Sequence, residues 1–117
     1  MPTTMQDVMR PIEKDPRFPH APLDWTSGNA EQHAQEEGLT LEDGHWETIL
    51  ALQEYFARNP SPRLRELRDA LDERFHARGG IRHLYEILPK GPIAQGCRLA
   101  GLTPPAGTED KSFGSVQ

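Results

Sequence analysis

Cysteine is almost absent from this sequence, since 117 residues contain only Cys97. A single thiol excludes an internal disulfide framework, so packing and hydrogen bonds must hold the fold. In a reducing compartment a lone cysteine is most often a small buried hydrophobe. The alternative is a partly exposed thiol whose pKa is lowered by a nearby helix N-terminus and by Arg98 or Lys90. Both interpretations of Cys97 stay open from the sequence.

Long hydrophobic runs are also missing. Apolar residues make up 35% of the chain, and no run approaches the roughly 20 residues that span a bilayer. The first residues lack the basic-then-apolar pattern of a signal peptide. We therefore expect a cytoplasmic protein with no membrane partner. A chain of this length supports one domain with an ordinary-sized core.

Patterns that would bind a metal or a nucleotide are missing as well. The five histidines include no His-x-x-x-His pair, and only one cysteine is present to join them, so we expect no metal site. No Gly-x-Gly-x-x-Gly or Walker pattern occurs, and adjacent acidic pairs diverge on a helix surface. We expect no cofactor, and the sequence favours a binding or carrier protein over an enzyme.

Charge is present but unevenly spread. Residues 1–60 carry 4 basic and 11 acidic side chains, whereas residues 61–98 carry 8 basic and 5 acidic ones. The whole chain has a net charge of −5. A locally basic face on an acidic protein suits an anionic group or an acidic partner. It is thin for a duplex DNA footprint, so we do not expect a nucleic-acid partner.

The stretch GGIRHLYEILPKGPIAQGCRLAGLTPP, residues 79–105, holds two short helical patterns separated by a proline break. Four apolar side chains recur at three- and four-residue spacing and are predicted to share one helix face: Ile81, Leu84, Tyr85 and Leu88. Pro89 should end this helix. The next helix should begin at Pro92 after Gly91 and end at Gly101, with Cys97 on the face of Ile93 and Ala100.

Two more helices are predicted before this stretch. The first starts near Ser27 or Asn29 and runs to Glu37, and Trp25 just before it is a candidate core anchor. The second has an apolar stripe from Trp46 to Ala57 and ends at Asn59-Pro60. Thr40 and Asp43 are alternative caps for its start.

A third upstream helix has clear start signals in the sequence. Ser61 is predicted to be the N-cap and Pro62 the first helical residue. Its inner stripe consists of four apolar side chains: Leu64, Leu67, Leu71 and Phe75. The charged side chains between them are predicted to face solvent.

These helices and their short connections predict an all-α fold, a small orthogonal helical bundle. Residues 1–23 are rich in proline, so we expect an extended or partly disordered arm there, with at most one turn between Met5 and Met9. The helical domain is predicted to cover residues 24–103. Residues 104–117 are small and polar, which is typical of a flexible tail.

Several motifs together resemble the DsrC/TusE family, small proteins of sulfur relay and dissimilatory sulfite reduction. The run LYEILPKGPIAQGCRLAGLTPPAG carries most of the resemblance, which covers roughly residues 24–107. Further matches are Asp24-Trp25, Glu37-Gly38, His45-Trp46 and the segment from Pro62 to Leu67. The resemblance implies a helical bundle with a helix-turn-helix-like pair. It also implies a protein partner from a sulfur-trafficking pathway. We expect a monomer or weak dimer.

The resemblance gives two positions a meaning. In the DsrC branch, the cysteine at the place of Cys97 pairs with a second cysteine near the chain end, and this second thiol carries sulfur. Where the family closes with Gly-Cys, this chain has Gly107-Thr108. A hydroxyl neither ionises readily nor forms a persulfide. We therefore expect a regulatory or accessory member that lacks sulfur transfer by the arm.

The resemblance also singles out basic residues. Arg65 and Lys90 fall on basic positions of the family that lie near the anion- or partner-binding face, and Arg98 is a third candidate for this face. Asp69 stands at a position that is often basic in the family. The competing interpretation is solvated surface charge.

Two alternatives accompany the regulatory hypothesis. In one, Cys97 serves as a single-cysteine sulfur or redox carrier. In the other, the third upstream helix and the 81–88 helix form the DNA-binding pair of a transcriptional regulator. The second of these helices presents Arg82, His83 and Glu86 outward, a poor surface for reading base edges.

Overall fold

The computed structural model describes residues 16–108, and within this range the secondary structure is entirely helical. The elements are α1 (Ser27–Glu36), α2 (Asp43–Arg58), α3 (Leu64–Arg74), a 3₁₀ turn (His76–Arg78), α4 (Gly80–Ile87) and α5 (Pro92–Ala100). The predicted all-α class is confirmed. The turn predicted between Met5 and Met9 lies outside the described residues.

The short helix α5 is the centre of the fold, and it packs chiefly against α2 and α1. Eight of its nine residues are buried, the exception being the half-buried Arg98. Gly96 permits this burial, since a Cβ there would lie 2.8 Å from Cδ1 of Leu52 on α2. Pro92 is at the first turn and Gly101 closes the helix with φ +78, as predicted.

Trp25 anchors the start of α1 to the end of α5. Its indole Nε1–H donates to the Leu99 carbonyl at 2.7 Å, and the side chain is buried. The ring also lies against Gly101, where an added Cβ would approach Cδ1 of Trp25 to 2.9 Å. The predicted role of Trp25 as a core residue is confirmed. Thr26 caps α1 by accepting the Asn29 backbone N–H at 3.1 Å.

Phe18 extends the core into the range predicted to be an extended arm. It is 3% exposed, and its ring centroid lies 5.0 Å from that of Trp25 in an edge-on arrangement. A second aromatic, Trp46 of α2, lies 5.8 Å away. A single aromatic among prolines has no periodicity, which is why its burial was not predicted. The division of the chain at residue 23 stays a prediction.

Helix α2 begins at Asp43 and its N-cap is Glu42, so neither of the two predicted caps, Thr40 and Asp43, was correct, although Asp43 lies next to the true cap. The buried His45 ties this start to the end of α4. Its Nδ1 accepts the Glu42 backbone N–H at 2.9 Å, so in the neutral ring Nε2 carries the proton and donates to the Ile87 carbonyl at 2.8 Å. One side chain thus satisfies an N-terminal donor of α2 and a C-terminal acceptor of α4.

The predicted start of α3 was wrong. Ser61 is not the N-cap and Pro62 is not the first helical residue, because the chain stays extended through Arg63 (φ −82, ψ 148) and the helix begins at Leu64. Pro62 is buried. The fixed φ of proline fits an extended segment as well as a first helical turn. In this chain Pro62 lies in an extended segment, with its ring buried against the rest of the protein.

Two glycines make the tight passage from α3 to α4. Gly79 and Gly80 have φ +117 and +65, and a Cβ on Gly80 would lie 2.3 Å from Oδ1 of Asp72. That carboxylate oxygen accepts the Ile81 backbone N–H at 2.7 Å, so Asp72 caps α4 from the preceding helix. Tyr85 was predicted to share the inner face of α4, but it is 37% exposed. Leu84 and Leu88 fill the core instead.

Candidate functional site

Cys97 lies on the buried side of α5, and its side chain is 0% exposed. Burial raises the pKa of the Cys97 thiol from an ordinary value of 9.0 to about 12, against a smaller opposing effect of the Arg98 charge. At neutral pH only about one molecule in 10⁵ would carry a thiolate. Of the two interpretations left open by the sequence, the structure supports the one in which the Cys97 thiol is buried.

The end of α5 holds Cys97 by its backbone too. After Gly101 the chain turns back, and the Leu102 N–H donates to the Cys97 carbonyl at 2.8 Å. This bond closes the helix with a left-handed residue, as in the common C-terminal motif with glycine. Neither the sulfur nor the carbonyl of Cys97 is therefore presented to a partner.

The arm that follows, residues 102–108, brings Gly107 and Thr108 back against the body. Thr108 is half-buried, and its hydroxyl donates to the Pro105 carbonyl at 2.6 Å. Gly107 and Thr108 line a cavity of about 170 Å³ together with residues of three helices: Leu64 and Arg68 of α3, Tyr85 of α4, and 92–94 of α5. The position at which the resemblance places a carrier thiol thus holds a hydroxyl beside the start of α5.

A polar network fixes the turn between α4 and α5. Glu37, just after α1, accepts hydrogen bonds from Gln95 Nε2 at 2.7 Å and from Arg98 Nε at 3.0 Å. The amide oxygen of Gln95 accepts the Lys90 backbone N–H at 3.0 Å. The charge of Arg98 is therefore balanced by Glu37. The role of Gln95 was not foreseen, although a buried polar residue within an apolar helix requires partners.

The three basic residues proposed from the sequence lie in different surroundings. Arg65 is exposed on α3 and lines an open cavity of about 590 Å³ with Arg68, Asp72 and Ile81. Lys90 is half-buried in the α4–α5 turn. Arg98 lines another cavity, on the α1 side of α5, together with Trp25. The structure does not bring Arg65 and Arg98 together.

Sequence reasoning missed Arg68 and the exposure of Tyr85. Arg68 follows Leu64 by one helical turn, so both side chains reach the same cavities. Charged residues on α3 were expected to face solvent, and Tyr85 was placed in the core. Only the packing of α3 against α4 reveals that both residues border the place of Thr108.

Two further features concern residues 16–108 alone. Within this range no group of three or more histidine, cysteine or carboxylate side chains is arranged to hold a metal ion. Among its helices, none combines the length and the apolar character that crossing a bilayer requires.

Comparison with known proteins agrees with this arrangement of helices. The family model described as "DsrC like protein" matches residues 11–108. The chain is 36% identical over 84 residues to the sulfurtransferase TusE of Yersinia pseudotuberculosis, covering 70% of this chain and 78% of the relative. It is 35% identical over 83 residues to the sulfurtransferase TusE of Escherichia coli, with 69% and 76% covered.

A solved structure is similar as well. The NMR structure of Allochromatium vinosum DsrC matches with a TM-score of 0.62 and 36% sequence identity, covering 73% of this chain and 78% of that one. The resemblance noted in the sequence is confirmed, and this chain belongs to the DsrC/TusE family.

Proposed function

We propose that this protein acts in sulfur metabolism in the cytoplasm as a regulatory or accessory member of its family. It binds a protein partner and does not pass sulfur along its arm. The relatives named sulfurtransferase support the link to sulfur. The observation that carries the proposal is Thr108, which stands where the family motif closes with a cysteine.

The chemistry of sulfur transfer supports this proposal. A carrier thiol attacks a sulfane sulfur as its thiolate, so a persulfide needs an accessible sulfur atom with an adequate thiolate fraction. Thr108 offers only a hydroxyl. Cys97 is fully buried and has a pKa of about 12, so it remains a protonated thiol at neutral pH. Neither position supplies the nucleophile.

The proposed contacts with a partner are made by Arg65, Lys90 and Arg98. Arg65 is exposed, and Lys90 is held at the surface by the turn that Gln95 fixes. Arg98 already bonds to Glu37 at 3.0 Å, so an acidic group of a partner has to compete with this carboxylate. Arg65 and Lys90 are therefore the stronger candidates for direct contact.

Sulfur loading tests the proposal. The purified chain is incubated with a cysteine desulfurase and cysteine, and intact-mass spectrometry measures the added sulfur. We expect no stable adduct on the wild type. The Thr108→Cys variant, in a Cys97→Ser background, is the matched control and should gain sulfur at position 108. A sulfur atom on Cys97 of the wild type that moves to an acceptor protein would contradict the proposal.

A further inference from the structure

We propose that residues 109–117 of this chain dock along α3 and cover Arg65. The sequence of this segment is EDKSFGSVQ, and the segment lies outside the described residues. It continues the chain past Thr108, where the family motif closes. We define the α3 groove by the six residues that line the 590 Å³ cavity: Leu64, Arg65, Arg68, Asp69, Asp72 and Ile81.

The arm brings the chain to one end of the α3 groove. A Cβ on Gly107 would lie 3.7 Å from Cδ2 of Leu64, and Thr108 lines the 170 Å³ cavity together with Leu64 and Arg68. Both of these α3 residues also line the α3 groove. An extended chain that leaves Thr108 therefore starts beside the first turn of α3.

The segment is long enough to follow the groove. From Leu64 to Asp72 the groove extends along α3 for about 12 Å, at 1.5 Å per helical residue. The extended residues 109–113 span about 17 Å. Phe113 can therefore reach the far end of the groove, where the half-buried Ile81 of α4 offers apolar surface.

The order of charges in the segment matches the order of charges along α3. The groove first presents two exposed arginines, Arg65 and Arg68. Two exposed carboxylates follow, those of Asp69 and Asp72. The segment begins with two carboxylates and continues with Lys111. A segment of mixed charge thus finds opposite charges in sequence, whereas a purely acidic or purely basic chain meets like charges at one end.

Covalent attachment makes such contacts sufficient. Exposed ion pairs contribute little singly. A tethered segment meets its site at an effective concentration of about millimolar, whereas a separate molecule loses translational and rotational freedom on association. The segment of the same chain is therefore favoured over that of a second copy. Docking covers Arg65, so a partner that contacts Arg65 has to displace the segment; this consequence alone rests on the proposed function.

Paramagnetic relaxation measured by nuclear magnetic resonance tests the proposal on the full chain. A nitroxide spin label is attached to the variant Ser115→Cys in a Cys97→Ala background, and the chain is labelled with ¹⁵N. We expect the spin label to broaden the amide signals of the α3 groove more strongly than those of α1, which packs against α5. In a mixture of spin-labelled ¹⁴N chain and unmodified ¹⁵N chain, we expect no such broadening.

Three substitutions within the segment sharpen the test. Phe113→Ser should lower the ratio of docked to undocked chains about tenfold, because the burial of an aromatic ring is lost. Lys111→Glu should lower it about twofold to fivefold, and adding Asp69→Lys should restore it. Ser112→Ala is the matched control and should leave the ratio unchanged, since alternate side chains of an extended segment point to opposite sides. Well-dispersed spectra of each variant verify folding.

Three results would overturn the proposal: equal broadening of α1 and the α3 groove, equal broadening in Phe113→Ser and its parent, or broadening in the mixture as strong as that within one chain. The last result would assign the groove to a second copy. Since the experiment contains neither a sulfur donor nor a partner protein, its failure is distinct from failure of the sulfur-loading test.

Discussion

Cys97 and Thr108 stand where the resemblance to the DsrC branch places its two cysteines, and their surroundings differ sharply. Cys97 lies on α5, which packs chiefly against α2 and α1, and it is fully buried, with its pKa raised to about 12. Thr108 lies half-exposed on an arm, and its hydroxyl bonds to Pro105 of the same arm. The half-exposed position has no thiol, and the thiol is fully buried.

This difference teaches how one chain can enclose one of the two positions and leave the other at its surface. Around Cys97, small residues such as Gly96 let helices approach closely, so the site contributes to packing. Around Thr108, exposed arginine and tyrosine side chains border an open groove.

Replacing Trp25 should destabilise the buried core around α5 more than the other changes proposed below. Trp25→Ala loses a buried ring and the hydrogen bond to the Leu99 carbonyl, and we expect a loss of about 3–5 kcal/mol in the free energy of unfolding. Urea denaturation measures it. The matched control is Leu23→Ala, whose side chain is 81% exposed and should change stability by no more than about 0.5 kcal/mol. Equal effects of the two substitutions would mean that Trp25 does not anchor α5.

Alkaline pH should destabilise the fold through Cys97, and between pH 9 and pH 10.5 this loss of stability should be smaller than that caused by Trp25→Ala. The pKa of Cys97 is higher in the folded state than its ordinary value, so the unfolded chain releases this proton first as pH rises. The contribution of the protonated Cys97 thiol to the free energy of unfolding is complete below about pH 9 and is lost between about pH 9 and about 12. The slope in that window is about 1.4 kcal/mol per pH unit.

Other groups titrate in the same range, so the measurement is a comparison with Cys97→Ala. Between pH 9 and pH 10.5 the free energy of unfolding should fall more steeply with pH for the wild type than for the variant. The difference between the two slopes should be about the value given above. Parallel pH profiles of the two proteins would show that the thiol is as accessible when folded as when unfolded.

The fold could be predicted from sequence where the helix-boundary residues and the hydrophobic periodicity agreed. Pro92 and Gly101 fixed both ends of α5 correctly, and Trp25 was identified by its size alone. The start of α3 was wrong because Pro62 suits an extended segment as well as a helix. Tyr85 was placed in the core because a short amphipathic helix does not say how wide its buried face is.

The site was less predictable than the fold because it depends on contacts between distant segments. The bond between Glu37 and Arg98 joins α1 to α5, and no local pattern signals it. The cavity beside Thr108 arises where Arg68 and Tyr85 come together through helix packing. The burial of Cys97 also remained open, because its helix face fits both an inner and an outer position.

Thiol reactivity of the native protein tests the contrast between Cys97 and Thr108 most directly. The wild type and the variant Thr108→Cys, Cys97→Ser are mixed with a thiol reagent near neutral pH, with and without denaturant. We expect negligible reaction of native Cys97, full reaction after denaturation, and reaction at position 108 about 10³-fold faster than at native Cys97. Rapid labelling of Cys97 in the folded wild type would contradict the claim that this chain has no accessible thiol to carry sulfur.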